Sequence, residues 1–258
     1  MYNRIVCLTE ETVETLYLLG QQDRIVGVSG YAVRPPQVRQ EKPRVSAFTS
    51  ADVPKILALR PDLVLTFSDL QADIAAELIR HGIAVHAFNQ RTIAGILTMI
   101  ETLGALVDQG DRAKDLSHQY RNRINAMRAN KPDQRPKVYF EEWNDPLISG
   151  IGWVSELIEI AGGQDCFSHL RTEQAAKNRI LAHRDVIDAA PDVILASWCG
   201  KKVRPEKIAT RPGWDTIPAV RQNRIYEIKS PLILQPGPAA LTDGLDAIRV
   251  ALWGTNGI

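Results

Sequence analysis

The sequence predicts an α/β protein: two Rossmann-like lobes with mostly parallel sheets, joined by a long helical backbone, with a ligand cleft between the lobes. Three observations lead there. Short continuous apolar runs alternate with helical stripes through the first ninety residues, which is how strands covered on both faces of a parallel sheet read. From about residue 92 to residue 129 the strand signal almost vanishes. Beyond that stretch the first order of elements returns. Pro61-Asp62-Leu63-Val64-Leu65 is matched by Pro191-Asp192-Val193-Ile194-Leu195, and Arg24-Ile25 is echoed by Arg224-Ile225. Two similar lobes imply a cleft, and small-ligand pockets form preferentially at domain interfaces.

Taken in order, Ile5 to Leu8 is the first buried strand. Thr9-Glu10-Glu11-Thr12 opens a helix whose Val13, Leu16 and Tyr17 share one face before Gly20 stops it. Arg24 to Val28 supplies a second strand, Ile56, Leu57 and Leu59 a short helical face, and Leu63-Val64-Leu65 a third strand. Ile74 with Leu78 marks another helix, and Ala84 to Ala87 another strand. Leu116, Tyr120, Ile124 and Met127 then follow a helical stripe. The segment Lys131-Pro132-Asp133-Gln134-Arg135-Pro136 breaks it, since proline removes a helix donor and clashes with the preceding turn. The predicted division is residues 1–91 for the N-terminal lobe, 92–130 for the helical connector and 131–258 for the C-terminal lobe. In the last of these, Val138-Tyr139-Phe140 is a strand. Val154, Leu157, Ile158 and Ala161 form a helical face, closed by Gly162-Gly163.

Composition narrows the function. The 258 residues are 45% hydrophobic and 24% charged, enough for a sizeable core in a hydrated globular protein. Lysine and arginine total 31 against 30 acidic residues, so a net charge of +1 offers no global field for nucleic acid or an anionic membrane. No apolar run approaches the roughly 20 residues that span a bilayer. Met1-Tyr2-Asn3-Arg4, followed at once by a strand, leaves no room for a secretory leader, so the expectation is a cytoplasmic chain or one whose leader has been removed. Cys7, Cys166 and Cys199 are odd in number and lack metal-ligand spacing, which argues against a disulfide framework or a zinc site, and Cys7 reads as core.

Parallel sheets present ligands at the carboxyl ends of their strands, and those positions carry most of the candidate residues. Tyr31, Phe48, Phe67, Trp143, Trp153 and Trp198 fall there in a chain only 6% aromatic, which suits a flat ligand. The pairs Glu10-Glu11 and Glu141-Glu142 follow strands as well. Neighbouring side chains diverge, so one of each pair is expected to face solvent or cap the next helix, leaving Glu10 and Glu142 as ligand contacts. Trp198-Cys199-Gly200-Lys201-Lys202, with Arg204 nearby, offers an anion site through its cations. A lowered thiol pKa at Cys199 would instead serve nucleophilic chemistry. No histidine accompanies Cys199, and His81, His86, His118, His169 and His183 share no pair spacing. Gly150-Ile151-Gly152 reads as a turn.

The most specific stretches are Arg4-Ile5-Val6-Cys7-Leu8-Thr9, Glu14-Thr15-Leu16, Leu19-Gly20, Val26-Gly27-Val28-Ser29-Gly30-Tyr31 with Pro35-Pro36, and Val45-Ser46 leading to Leu59-Arg60-Pro61-Asp62. In the second half they continue through Ser149-Gly150, Leu157 to Gly163 and Ala190 to Ile194. In these the chain resembles the class III substrate-binding proteins of cobalamin, haem and ferric-siderophore ABC importers, the helical-backbone metal receptors, and most nearly their cobalamin-binding branch. The resemblance implies a monomeric, non-enzymatic, periplasmic binder of a corrinoid, with no intrinsic cofactor or metal and an ABC permease as partner. It places Tyr31, Phe48 and Phe67 where that branch presents aromatic rings, two of them tryptophans there, beside the ligand candidates Glu10, Glu142, Trp143, Trp153, Trp198 and Lys201. Asp73 and Asp185 match the carboxylates through which the family docks its transporter. Ser230 to Gln235 departs from the branch's acidic and aromatic residues. A stiff helical connector implies only modest closure. The alternatives are a ferric siderophore or haem as ligand, a cytoplasmic enzyme or chaperone acting on a metal chelate through Cys199, Glu141 or Glu142, and a small-anion binder using Lys201, Lys202 and Arg204.

Overall fold

The computed structural model describes residues 1–129 and 132–254. The chain divides into two compact units, residues 1–90 with 94–119 and residues 91–93 with 120–258.

In the first unit the elements run β1 (Ile5–Cys7), α1 (Glu10–Leu18), β2 (Ile25–Ser29), α2 (Val38–Glu41), β3 (Arg44–Ser46), α3 (Val53–Ala58), β4 (Leu63–Phe67), α4 (Ala72–Arg80), β5 (Val85–Phe88), α5 (Ile93–Leu106) and α6 (Gly110–Ala129). The strands form one sheet of order β3-β2-β1-β4-β5, every pairing parallel. β1 lies at the centre, and Ile5, Val6 and Cys7 are wholly buried because both faces of that strand are covered. One core packs Val6, Leu8, Val45, Val53, Ile56, Val64 and Leu78 together.

The second unit continues with β6 (Lys137–Asn144), β7 (Leu147–Ser149), α7 (Gly152–Ile160), β8 (Gln164–Asp165), β9 (Ile180–Leu181), α8 (His183–Ala189), β10 (Val193–Ala196), α9 (Pro205–Ala209), α10 (Pro218–Arg221), β11 (Ile225–Glu227), α11 (Ser230–Ile233) and α12 (Leu245–Trp253). Its sheet has the order β11-β10-β6-β7-β9, with β8 also on β6. β10 runs parallel to β6 and β11, and β8 to β6, whereas β7 is antiparallel to both β6 and β9. The α/β class and the largely parallel sheets therefore stand as expected, and the β6-β7 hairpin is an addition.

The repeated Pro-Asp has a physical use in each unit. Asp62 accepts from the amides of Asn3 at 2.7 Å and Arg4 at 2.9 Å, and Asp192 accepts from the amide of Lys137 at 2.8 Å. Each aspartate thus satisfies backbone donors at or just before the start of the adjacent central strand, which would otherwise go unpaired.

The stretch expected as one connector is two helices. Val107 to Gln109 interrupt it, with the amides of Val107 and Gln109 both donating to the Gly104 carbonyl. The helices are held close: the Ser117 hydroxyl donates to Leu97 O at 3.3 Å, and a Cβ built on Gly104 would lie 2.2 Å from Ala113 Cβ and 2.9 Å from Gln109 O. Gly104→Ala is expected to lower unfolding free energy by about 1–3 kcal/mol through this overlap, read as an earlier urea midpoint. The division between the two compact units falls at 119/120, inside α6. Asn130 and Lys131, where the sequence sets it, lie outside the described residues. Pro132 to Pro136 form neither helix nor strand, as the two prolines require.

Candidate functional site

In the first unit the sheet order reverses direction between β1 and β4, so the carboxyl ends of those strands mark its switch point. Thr9, Glu10 and Glu11 follow β1. Both glutamates are buried, Glu11 at 2% exposure. The Ser29 hydroxyl at the end of β2 donates to Glu10 Oε1 at 3.0 Å, and the Thr9 hydroxyl to Glu11 Oε1 at 2.7 Å. Burial pushes Glu11 up to about 8, with the charge of Glu10 adding to the effect, and burial pushes Glu10 up as well. Neither glutamate faces solvent; of the two expected fates, a place at the start of the next helix is the one observed, since both lie in the first turn of α1. The hydroxyls that make burial of both tolerable sit on Thr9, in the same loop, and on Ser29, a strand away in sequence.

Tyr31, just past β2, is 53% exposed. Phe48 is half-buried and Phe67 buried. Their loops are tied together by Gln71, whose amide donates to the carbonyls of Phe48 at 2.8 Å and Leu8 at 3.3 Å while its oxygen accepts from Phe67 N at 2.9 Å. Asp73 lies in the first turn of α4 and is exposed.

In the second unit the end of β6 carries two ion pairs. Glu141, at 0% exposure, accepts from Arg211 Nη1 at 2.5 Å and Nη2 at 2.9 Å, from Trp198 Nε1 at 3.1 Å and from the Tyr139 hydroxyl at 3.2 Å. Burial, reinforced by Glu141, pushes the Tyr139 phenol well above its ordinary value. Arg211 in turn covers the Trp214 ring at 4.5 Å. Glu142 accepts both guanidinium nitrogens of the buried Arg179 at 2.7 and 3.1 Å. Neither acid of this pair is left to solvent or to a helix cap, against expectation, because each meets an arginine 37 or more residues away.

Trp198 is 3% exposed, its indole committed to Glu141. Trp153 is equally buried and donates to Ile233 O at 2.8 Å. Trp143 is half-buried and donates to Asp145 O at 2.9 Å. Lys201 Nζ lies 5.4 and 5.2 Å from the Trp143 and Trp198 ring centroids and donates to Asn144 Oδ1 at 3.0 Å. A pocket of about 280 Å³ opens beside it, lined by Ser197, Trp198, Gly200, Lys201, Lys202, Glu227, Ile228, Lys229, Ser230 and Pro231. Arg204 precedes α9 and is exposed. Asp185 is exposed in the first turn of α8, where its carboxylate accepts from Ala182 N at 2.7 Å. Gly152 opens α7 rather than ending a turn, and a Cβ there would meet Arg91 O at 2.5 Å and Arg171 O at 2.8 Å.

Of the aromatic candidates, then, Tyr31 is exposed, Phe48 and Trp143 are half-buried, and Phe67, Trp153 and Trp198 are enclosed. Burial pushes the Cys7 and Cys166 thiols up to about 12, which leaves both protonated and unreactive at neutral pH, while Cys199 is exposed. Among the described residues no group of three or more His, Cys, Asp or Glu is placed to hold a metal ion, and no helix is long and apolar enough to cross a membrane. Arg179, Arg211, Gln71 and Lys229 were not singled out from the sequence. Only the strand-end rule could have pointed to Lys229, two residues past β11.

Each of the two α/β units carries aromatic rings at the ends of its strands, and the second adds lysines there. The chain belongs to the periplasmic binding protein family, whose profile matches residues 5–232. It is similar to the vitamin B12-binding protein of Vibrio parahaemolyticus, 24% identical over 242 residues that cover 92% of this chain and 85% of that one. It is also 24% identical, over 263 residues, to an uncharacterized ABC transporter substrate-binding lipoprotein of Bacillus subtilis, covering 97% of this chain and 80% of that one. Among solved structures, the apo periplasmic heme-binding protein RhuT from Roseiflexus superposes with a TM-score of 0.82 at 24% identity, over 98% of this chain and 100% of that one.

Proposed function

We propose that this protein reversibly captures a corrinoid and delivers it to an ABC importer, working outside the cytoplasm as a monomer and without covalent chemistry. The observation that carries the reading is the position of aromatic residues that are not enclosed at strand ends, Tyr31 beyond β2 and Trp143 in β6, in a chain matched to the binding-protein family over residues 5–232. Stacking on such rings suits a flat macrocycle, because an aromatic face contributes through area and geometry rather than charge. Glu10, Phe48, Phe67, Glu142, Trp153 and Trp198 belong to the same strand-end surfaces, the enclosed ones as support for the rings in front. Asp73 and Asp185, exposed on first helical turns, are the proposed contacts with the permease.

Titration with cyanocobalamin and with cobinamide, followed by tryptophan quenching and heat, is the test. Saturable one-to-one binding with Kd of about micromolar or tighter is expected, weakened about 2- to 10-fold in Tyr31→Ala. A second reading, haem or a ferric siderophore as the ligand, is favoured by the three lysines of the 280 Å³ pocket, which suit carboxylate-bearing ligands. Binding of hemin or a ferric siderophore in place of both corrinoids would establish it, and binding of none would overturn chelate capture altogether.

A further inference from the structure

The 280 Å³ pocket lies wholly within the second unit, between the segment that follows β10 and the one that follows β11. Cavities that enclose a drug-sized molecule run from roughly 300 to 1,000 Å³, so this one is sized for part of a ligand rather than a whole macrocycle.

Its charge is one-sided. Lys201, Lys202 and Lys229 line it against a single carboxylate, Glu227. Glu227 is already engaged, accepting from Val203 N at 3.1 Å and from the Lys229 ammonium. Burial works to raise its pKa, but the Lys229 and Val203 hydrogen bonds outweigh it and hold the carboxyl below its usual value, so it stays ionised and fixes Lys229 beside the opening. Lys201 is anchored to Asn144 with two indole faces beneath it. Lys202 is exposed, and its charge adds to those that hold Glu227 ionised. Lys201, which meets no carboxylate here, and Lys202 leave positive charge to spare at the rim.

A second observation concerns Ser197, whose enclosed hydroxyl belongs to a residue that lines the pocket. Ser197 lines the pocket at 1% exposure, and its Oγ has no hydrogen-bond partner among the described residues. A buried hydroxyl without a partner costs about 1–3 kcal/mol and is kept where something else completes it.

We propose that this pocket is an oxyanion subsite, taking a phosphate or carboxylate group on a side arm of the captured chelate, with Ser197 donating at the floor and Lys201, Lys202 and Lys229 neutralising the charge at the rim. The inference rests on the reading of this rim as ligand-facing. It adds that the ligand is chosen by an anionic arm as well as by its flat ring.

The test titrates the apo protein with inorganic phosphate and, separately, with succinate at low ionic strength, and repeats both with Lys202→Met and Lys229→Met. Lys114→Met on α6 serves as control, and melting temperatures verify folding of each variant. Saturable binding of at least one oxyanion is expected, weakened about tenfold or more by each pocket substitution and by 0.5 M salt, and untouched by Lys114→Met. The arm's chemistry follows from competition. Phosphate that displaces cyanocobalamin but not cobinamide, which lacks the phosphodiester, assigns a phosphate arm, and succinate that displaces hemin assigns a carboxylate arm. If oxyanions bind and no corrinoid does, the pocket stands and the corrinoid reading falls. If cyanocobalamin binds with an affinity indifferent to salt, oxyanions and both substitutions, the subsite is overturned and the corrinoid reading stands. If no oxyanion binds at all, the subsite is likewise overturned.

Discussion

Glu141→Ala is expected to lower the unfolding free energy of the second unit by about 3–5 kcal/mol, the range for removing one partner of a buried ion pair. The size follows from what the carboxylate holds. It accepts from two Arg211 nitrogens, the Trp198 indole and the Tyr139 hydroxyl, so its loss strands a guanidinium and two buried donors at once. Arg211 keeps its place over Trp214 and would be left without a counter-charge. Replacing both partners by apolar groups removes the unpaired charge as well as the pair. Glu141→Leu with Arg211→Met is therefore expected to recover part of the loss, making the two substitutions non-additive. Urea unfolding followed by tryptophan emission reads this directly, since Trp198 and Trp214 both border the pair. A loss below about 1 kcal/mol for Glu141→Ala would mean the network relaxes around its own removal.

Stability is expected to fall as pH rises from about 4.5 to about 8, and Glu11→Gln to flatten that fall. Burial and the neighbouring Glu10 raise the Glu11 carboxyl to about 8, against about 4.5 in the unfolded chain. Between those values the folded state holds a proton that the unfolded state releases. The contribution of Glu11 is accordingly complete below about 4.5 and is lost as pH rises through about 8, with a limiting slope of about 1.4 kcal/mol per pH unit. The coupling between Glu10 and Glu11 tempers the slope, and a net difference of about 1–3 kcal/mol between pH 5 and pH 8 is the expected scale. Asp165, also raised by burial, acts in the same direction, so the difference between wild type and Glu11→Gln isolates the Glu11 share. A variant with the same pH profile as the parent would show that Glu11 titrates normally in the folded protein.

The sequence announced the strands that are apolar runs flanked by helices. β1, β2, β4, β5, β10 and the core of β6 were legible because burial on both faces leaves a compositional mark. β3, β7 and β9 were not. Arg44–Ser46 has one apolar residue, and Leu147–Ser149 and Ile180–Leu181 are too short to show a period. The direction of β7 depends on a hairpin turn at Asp145-Pro146 that composition alone does not orient. Candidate site residues were legible as positions but not as roles. Strand ends pointed to Glu10, Glu141, Glu142 and Lys201, yet what each is bonded to was decided by Ser29, Arg211, Arg179 and Asn144 respectively, 19 to 70 residues distant. A contact that closes over such separations leaves no local pattern to read.

The position of the unit boundary within α6 has its own consequence. Residues 110–119 of that helix belong with the first unit and the remainder with the second. Each portion alone is shorter than the roughly 12–15 residues an isolated helix needs to persist in water. A chain cut at 119/120 is therefore expected to leave ten helical residues on each side, too few to keep their backbone hydrogen bonds except where they pack on their own unit.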